Sequence, residues 1–222
     1  MKEYFPNNCN IIDKGGRCWY YKKDGFCPVH DKELKEQIDV CVATNYGDFN
    51  WSSRWGIPLH YIILSDKKGL ANARNELMQK VTTEWFLFLD DDVCLNKQWW
   101  EKIKVHMSNP NIGAIQGFPL TNNIFLNILR KILLLRGTKH QRGFTSNTLI
   151  RKKAVEGITL EREGRLEDLE LQEKIKAKGY GWKFVRAYCY HLADPKRLWK
   201  DSLDDFNRLR KERSLWKALL MI

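Results

Sequence analysis

No apolar run in the 222-residue sequence approaches the ~20 residues that a helix needs to span a bilayer. The first ten residues, MKEYFPNNCN, lack the apolar stretch of a secretory signal peptide. Glycine and proline are not enriched, at 14 and 6 residues, which excludes collagen-like and low-complexity chains. The sequence therefore predicts a globular, cytoplasmic protein in which a framework of disulfides is not expected.

Acidic residues are few relative to basic ones, with 27 Asp and Glu against 38 Lys and Arg and a net charge of +11. This charge predicts an anionic partner, and composition alone leaves nucleic acid, phosphate-bearing ligands and an anionic membrane surface open. Acidic residues are absent from residues 120 to 155. Within that stretch lies the amphipathic segment, Ile124–Leu135, which is both apolar and basic. It predicts a helix on the acceptor side or at a membrane interface, with packing on the sheet or a dimer partner as the alternative.

Short apolar runs alternate with helical patterns from residue 38 onwards. The predicted strands are Ile38–Thr44, Leu59–Leu64, Trp85–Leu89, Ile112–Gln116 and Gly181–Tyr190. The predicted helices lie between Gly69 and Val81, at Lys97–Met107 and at Leu166–Lys178. Apolar strands that alternate with helices are typical of a mainly parallel sheet covered on both faces. We therefore expect an α/β domain over residues 38–193, between an N-terminal segment at 1–33 and an amphipathic helical tail at 194–222.

Three consecutive acids, Asp90, Asp91 and Asp92, follow the most apolar of the predicted strands. Ligands of open α/β sheets bind at the carboxyl ends of the strands. Adjacent carboxylates repel each other unless a cation neutralises them, and their oxygens suit Mg²⁺ or Mn²⁺. The triplet therefore predicts a divalent metal and a ligand at this edge, with a solvated turn that caps the next helix as the alternative.

A second set of metal-binding side chains lies near the N-terminus. This Cys₃His cluster comprises Cys9, Cys18, Cys27 and His30. Three thiolates and one imidazole complete the tetrahedral coordination of Zn²⁺. A segment this short has too small a hydrophobic core to fold without a bound metal or a similar cross-link. The spacing therefore predicts a structural zinc knuckle, with reduced free cysteines as the alternative. The remaining cysteines are interpreted as small buried hydrophobes: Cys41, Cys94 and Cys189.

Two longer stretches resemble the family 2 glycosyltransferases, which have the GT-A fold, a Rossmann-like sheet with an Asp-x-Asp motif. GLANARNELMQKVTTEWFLFLDDDV resembles the donor-site segment of that family, in which Ala-Arg-Asn opens a helix and an apolar strand ends in the acidic motif. GFTSNTLIRKKAVEGI, followed by GRLEDLELQEKIKAKGYGWKFVRAYCYH, resembles the acceptor half, with a Glu-Asp pair at a helix start and a late His. The resemblance covers about residues 38–192, and the order of the motifs is more specific than any one of them.

The resemblance implies a metal-dependent, inverting transfer of a sugar from a nucleotide-sugar donor to a hydroxyl acceptor. It makes Asp168 the catalytic base and Glu167 the residue that orients the acceptor, while Asp92 and His191 hold Mn²⁺ or Mg²⁺. The implied donor-binding residues are Asp66, Arg74, Asp90 and Asp91. The alternative for the Glu-Asp pair is stabilisation of a helix start by its acids, and the alternative for Arg74 is an ion pair within the fold.

The Gln-x-x-Arg-Trp signature of processive polysaccharide synthases is absent, which favours transfer of a single sugar. A competing hypothesis is a nucleic-acid-binding zinc protein with an inactive GT-A-like domain, which the charge and the Cys₃His cluster support. A nucleotidyltransferase would also use acids and Mg²⁺ but would not account for the late Glu-Asp pair. The sequence favours the glycosyltransferase and leaves the acceptor open among a glycan, a lipid-linked molecule and a protein.

Overall fold

The computed structural model of the chain describes residues 38–44, 62–64, 69–90, 93–95, 97–120, 127–128, 142–162 and 166–191. The predicted N-terminal segment, with its Cys₃His cluster, and the predicted C-terminal tail lie outside these residues. The described residues therefore belong to the predicted central α/β domain.

Strands and helices alternate through the described residues. The strands are β1 (Ile38–Thr44), β2 (Ile62–Leu64), β3 (Trp85–Asp90), β4 (Val93–Cys94), β5 (Ile112–Leu120), β6 (Asn147–Arg151) and β7 (Gly181–His191). The helices are α1 (Leu70–Lys80), α2 (Lys97–Lys104), α3 (Lys152–Val155) and α4 (Glu167–Ala177). Asn127 and Ile128, within the amphipathic segment, are also helical. Among the described helices, none is long and apolar enough to cross a membrane.

The described strands form one mixed sheet in the order β2-β1-β3-β6-β5-β7-β4. Strand β1 pairs in parallel with β2 and β3, and β5 pairs in parallel with β7. Strand β6 runs antiparallel between β3 and β5, and β4 runs antiparallel to β7 at the edge. Five of the strands thus share one direction, as a mainly parallel sheet requires. The antiparallel strand at the centre was not predicted.

Each face of the sheet buries its own core, because successive side chains of a strand point to opposite faces. Trp85, Leu87 and Leu89 of β3 join the core that contains Trp99 and Trp100 of α2. The intervening Phe86 and Phe88 join the core built from α1, α3 and α4. Burial of strand residues on both faces explains why β3 is apolar throughout, and it confirms the predicted covering of the sheet on both sides.

The helix boundaries follow local sequence signals. Gly69 precedes α1 with a φ of 78°, and Gly179 follows α4 with a φ of 87°. A positive φ is accessible to glycine at little cost, and a helix commonly ends at such a residue. The predicted end of the late helix at Gly179 is therefore confirmed, whereas α2 ends at Lys104 rather than at the predicted Met107.

Strand β6 was missed because its sequence, NTLIR, has no apolar alternation. Asn147 and Thr148 are completely buried although they are polar. Their burial reflects a position at the centre of the sheet, between β3 and β5, and strand propensity alone does not reveal such a position.

Candidate active site

The carboxyl end of β3 carries Asp90 beside the start of β6. The backbone N–H of Asp90 donates to the carbonyl oxygen of Ser146 at 3.1 Å. The Asp90 side chain is 38% exposed, whereas the five preceding strand residues are buried. The buried strand therefore ends in a carboxylate that is accessible at the edge of the sheet. Asp91 and Asp92 lie outside the described residues.

Helix α1 carries Arg74, which is only 4% exposed, from its second turn into the interior. Small residues beside it, Ala71 and Ala73, are buried and let the helix approach the sheet closely. The next side chain, Asn75, donates to the carbonyl oxygen of Leu160 at 2.9 Å and accepts from the N–H of Leu160 at 2.8 Å. These contacts fix the helix and the direction in which Arg74 points.

Arg74 is the cation at the centre of three carboxylates. Its Nη1 donates to Oε1 of Glu167 at 2.5 Å and to Oδ1 of Asp168 at 2.7 Å. Its Nη2 lies 3.8 Å from Oδ1 of Asp90. The guanidinium also lies against the ring of Phe88, with Cζ 5.9 Å from the ring centre. One arginine thus connects the predicted donor-side acid with the predicted acceptor-side pair, and we call these four charged residues the Arg74 cluster.

The two acids at the start of α4 have different surroundings. The side chain of Glu167 is 2% exposed and that of Asp168 is 13% exposed. Burial raises the pKa of Glu167 to about 7, and the charge of Asp168 adds to the rise, while Arg74 and Arg142 oppose it. Burial also acts to lower the pKa of Arg74, but the charges of Asp168, Glu167 and Asp90 outweigh it and raise that pKa. The arginine therefore stays charged, and near neutral pH a proton resides partly on Glu167.

One contact in the cluster has no counterpart among the sequence predictions. The hydroxyl of Thr145 donates to Oδ1 of Asp168 at 2.5 Å. Thr145 lies in the turn that leads into β6, within a stretch that the sequence assigned to the acceptor half without naming this residue. The sequence carries no signal for the contact, because the two residues meet only when β6 and α4 are assembled.

The family of the chain follows from comparison with known proteins. The model of glycosyl transferase family 2 matches residues 44–158, just over half of the chain. The chain belongs to glycosyl transferase family 2. Membership confirms the family that the Ala-Arg-Asn and Asp-x-Asp segments resemble. The match ends before α4 and so does not include Glu167 and Asp168. These two residues are assigned to the site because their side chains contact Arg74, which lies within the match. A comparison with curated protein sequences gives no match.

Solved glycosyltransferases share the fold of this family 2 domain. Glucosyl-3-phosphoglycerate synthase from Mycobacterium tuberculosis, in complex with Mn²⁺, UDP-glucose and phosphoglyceric acid, is 10% identical with a TM-score of 0.55, over 88% of this chain and 86% of that one. A mannosyltransferase from Pyrobaculum calidifontis, in complex with GDP-mannose and Mn²⁺, is 16% identical with a TM-score of 0.55, over 85% of this chain and 59% of that one. The mixed sheet and its flanking helices are therefore those of a GT-A glycosyltransferase.

The predicted metal ligands of the family 2 domain are described only in part. His191 ends β7, and its backbone pairs with that of Val93, the residue that follows Asp92. This pairing brings the backbone of His191 beside Val93, which follows the acidic triplet in the sequence. A carboxylate oxygen and an imidazole nitrogen suit Mn²⁺ or Mg²⁺, so the donor types fit the metal that the fold family implies. Within the described residues alone, no group of three or more metal-binding side chains is present.

Several other predicted site residues lie outside the described residues, namely Asp66, Asp91, Asp92, Cys9, Cys18, Cys27 and His30. Among the residues that are described, Arg74, Asp90, Glu167 and Asp168 meet in the Arg74 cluster. For Arg74, the structure has the ion pair within the fold that is the alternative to donor binding. Cys41 and Cys189 are buried, as expected of small hydrophobes.

Proposed function

We propose that the protein is a metal-dependent, inverting glycosyltransferase that moves a single sugar from a nucleotide-sugar donor to a hydroxyl group of an acceptor. The proposal is carried by one observation, the Arg74 cluster. Through this cluster the acid that ends β3 and the acid pair that opens α4 share a single cation. A donor sugar bound between these two positions would have its leaving diphosphate on the side of Asp90. The attacking hydroxyl would then lie on the side of Asp168.

Asp168 is the catalytic base in this proposal. It receives the proton of the acceptor hydroxyl while the acceptor oxygen bonds to the anomeric carbon and the bond from that carbon to the diphosphate breaks. Both described hydrogen bonds of its carboxylate fall on Oδ1, from Arg74 and Thr145. Its side chain is also more exposed than that of Glu167. These features support Asp168 over Glu167 as the group that meets the acceptor.

Glu167 acts on the acceptor only through its neighbours in this proposal. Glu167 is 1% exposed, and its Oε1 accepts a hydrogen bond from Nη1 of Arg74 at 2.5 Å. A buried carboxyl with a pKa of about 7 is partly protonated near neutral pH, and this limits repulsion between the two adjacent acids. We therefore assign Glu167 to holding Arg74 in place, rather than to orienting the acceptor, the role that the family resemblance implies.

The proposed binding site for the nucleotide-sugar donor includes the acidic triplet. We propose that Asp92 and His191 hold Mn²⁺ or Mg²⁺, that Asp90 lies near the ribose and that Asp66 and Asp91 contribute to donor binding. The metal, when bound, supplies a Lewis acid that neutralises the charge developing on the leaving diphosphate. Proteins of the same fold bind UDP-glucose or GDP-mannose together with Mn²⁺, which makes these two donors the first to test.

The proposed function is tested with Asp168→Asn. The amide keeps the shape of the side chain and its capacity to accept from Arg74, but it cannot take up a proton. We expect UDP-glucose or GDP-mannose with Mn²⁺ to bind as tightly as in the wild type by calorimetry, while donor hydrolysis, with water as the acceptor, falls by a factor of about 100 or more. Glu173→Gln, the same chemical change on an exposed part of α4, is the matched control and should retain activity. Hydrolysis by Asp168→Asn within about tenfold of the wild type would mean that another group is the base.

A further inference from the structure

A buried hydroxyl meets the proposed catalytic base. Thr145 is 0% exposed, and its Oγ1 donates to Oδ1 of Asp168 at 2.5 Å. Nη1 of Arg74 donates to the same oxygen at 2.7 Å. An ionised carboxylate is only an acceptor, so the threonine must be the donor in this contact. Two donors therefore converge on one of the two oxygens of Asp168.

The turn that carries Thr145 is fixed by the elements around it. The N–H of Gly143 donates to Oε1 of Gln172 on α4 at 2.9 Å. The N–H of Phe144 donates to Oε1 of Gln116 on β5 at 2.9 Å, and the carbonyl of Ser146 accepts from β3. Side chains from α4 and β5 thus hold the backbone before Thr145, and the backbone of β3 holds it after Thr145. Such an arrangement keeps a hydrogen-bond donor preorganised.

The packing leaves this turn little freedom to move. A Cβ on Gly143 would come within 2.6 Å of the ring of Trp182, so the backbone lies directly against the indole. The indole N–H of Trp182 in turn donates to Oε1 of Gln116 at 3.0 Å, the same oxygen that holds the turn. The hydroxyl of Thr145 is consequently presented to Asp168 from a rigid frame.

We propose that Thr145 is a positioning residue for the transfer reaction, which with Arg74 engages Oδ1 of Asp168 and so reserves Oδ2 for the acceptor proton. Among the described residues, no donor contacts Oδ2. Two donors on Oδ1 prevent rotation of the carboxylate and set the direction in which Oδ2 meets the attacking hydroxyl. The inference rests on the proposed role of Asp168 as the base.

The variants Thr145→Val and Thr145→Ser distinguish the effect of the hydroxyl group from the effect of side-chain packing. Valine keeps the volume and removes the donor, whereas serine keeps the donor and loses a methyl group. With UDP-glucose or GDP-mannose and Mn²⁺, we expect Thr145→Val to lower kcat for donor hydrolysis about tenfold or more without changing KM for the donor, because misdirection of the base affects the chemical step. Thr145→Ser should recover most of kcat.

A threonine elsewhere in the fold provides the matched control. The hydroxyl of Thr83 donates to the carbonyl oxygen of Trp85 at 2.6 Å, at the end of β3 opposite Asp90. The same hydroxyl oxygen accepts from the backbone N–H of Asp39 at 2.9 Å. Thr83→Val therefore removes two structural hydrogen bonds, and it should lower the unfolding temperature while leaving kcat unchanged. A fall in kcat caused only by lost stability would appear in both valine variants, and that result would overturn the proposal.

The contact is also measurable without catalysis. Urea denaturation of Thr145→Val, Asp168→Ala and the double variant forms a thermodynamic cycle, and we expect the effects on the unfolding free energy to be non-additive because the two groups touch. Additive effects would overturn the proposal, as would a serine variant as slow as the valine variant. An inactive Asp168→Asn with a fully active Thr145→Val overturns this inference alone, whereas an active Asp168→Asn overturns the proposed function as well.

Discussion

The stability of the fold should depend on pH through Glu167, and the substitution Glu167→Gln isolates that dependence. The pKa of Glu167 is about 7 in the folded protein, against an ordinary value of 4.5. Because the folded state holds the proton more tightly than the unfolded chain, ionisation of this group destabilises the fold. Its favourable contribution is complete below pH 4.5 and is lost as the pH rises through 7.

The magnitude follows from the size of this pKa difference. A rise from 4.5 to about 7 corresponds to about 3 kcal/mol over the whole pH range, since each pKa unit is worth about 1.4 kcal/mol. The side chain is only 2% exposed, so solvent screens this effect little. Glutamine does not titrate, and its Oε1 can still accept from Arg74. The free energy of unfolding of Glu167→Gln, relative to the wild type, should therefore increase by about 2 to 3 kcal/mol between pH 5 and pH 8.

The assay is urea denaturation of both proteins at closely spaced pH values, in which the contributions of titrating groups that do not interact with Glu167 cancel in the difference. Glu170→Gln on the same helix is a control of opposite sign. Burial acts to raise the pKa of Glu170, but hydrogen bonds from Lys174 and from the backbone N–H groups of Arg162 and Glu161 outweigh it and lower that pKa. Glu170→Gln should therefore lose stability near neutral pH and approach the wild type as the pH falls. Parallel curves for Glu167→Gln and the wild type would show that the pKa of Glu167 is not raised by folding.

Three further predictions concern residues outside the described ranges. Asp92→Ala should abolish Mn²⁺-dependent binding of UDP-glucose or GDP-mannose in calorimetry without changing the unfolding temperature, and unchanged binding would rule out Asp92 as a metal ligand. Elemental analysis should find one Zn²⁺ per chain that Cys18→Ser removes, and a folded N-terminal segment without metal would contradict the Cys₃His cluster. Flotation with anionic liposomes at low salt should carry the wild type but not Leu129→Glu, because Ile128 beside it is helical and 51% exposed; a wild type that stays in solution would show that the amphipathic segment does not bind membranes.

Local patterns were sufficient to predict most of the elements that carry the site. β1 has the predicted bounds, β3 extends the predicted strand by one residue, and α1 lies within the predicted helical stretch. Such elements are predictable because a run of apolar residues or a helical period is set by neighbours in the sequence. The position of Asp90 at a strand end could be predicted for the same reason.

The sequence alone could not predict the central antiparallel strand or the residues that it brings to the site. β6 is short and begins with two buried polar residues, so its pattern resembles a loop. Its position between β3 and β5 is set by long-range pairing, and that pairing brings Thr145 to Asp168. Interactions of this kind depend on the order of strands in the sheet, which no local pattern encodes.

The order of residues in the chain is enough to specify which acids and which arginine are available for a glycosyltransferase site, and on which elements they lie. How these groups share charge is set by folding. Arg74 meets Glu167 and Asp168 across 93 and 94 residues of chain, because α1 and α4 pack into the same core on one face of the sheet. That packing buries Glu167 and leaves Asp168 partly exposed, and so it places two adjacent acids in different surroundings. The physical reason is that desolvation and charge pairing depend on burial and distance, which exist only once the chain is folded.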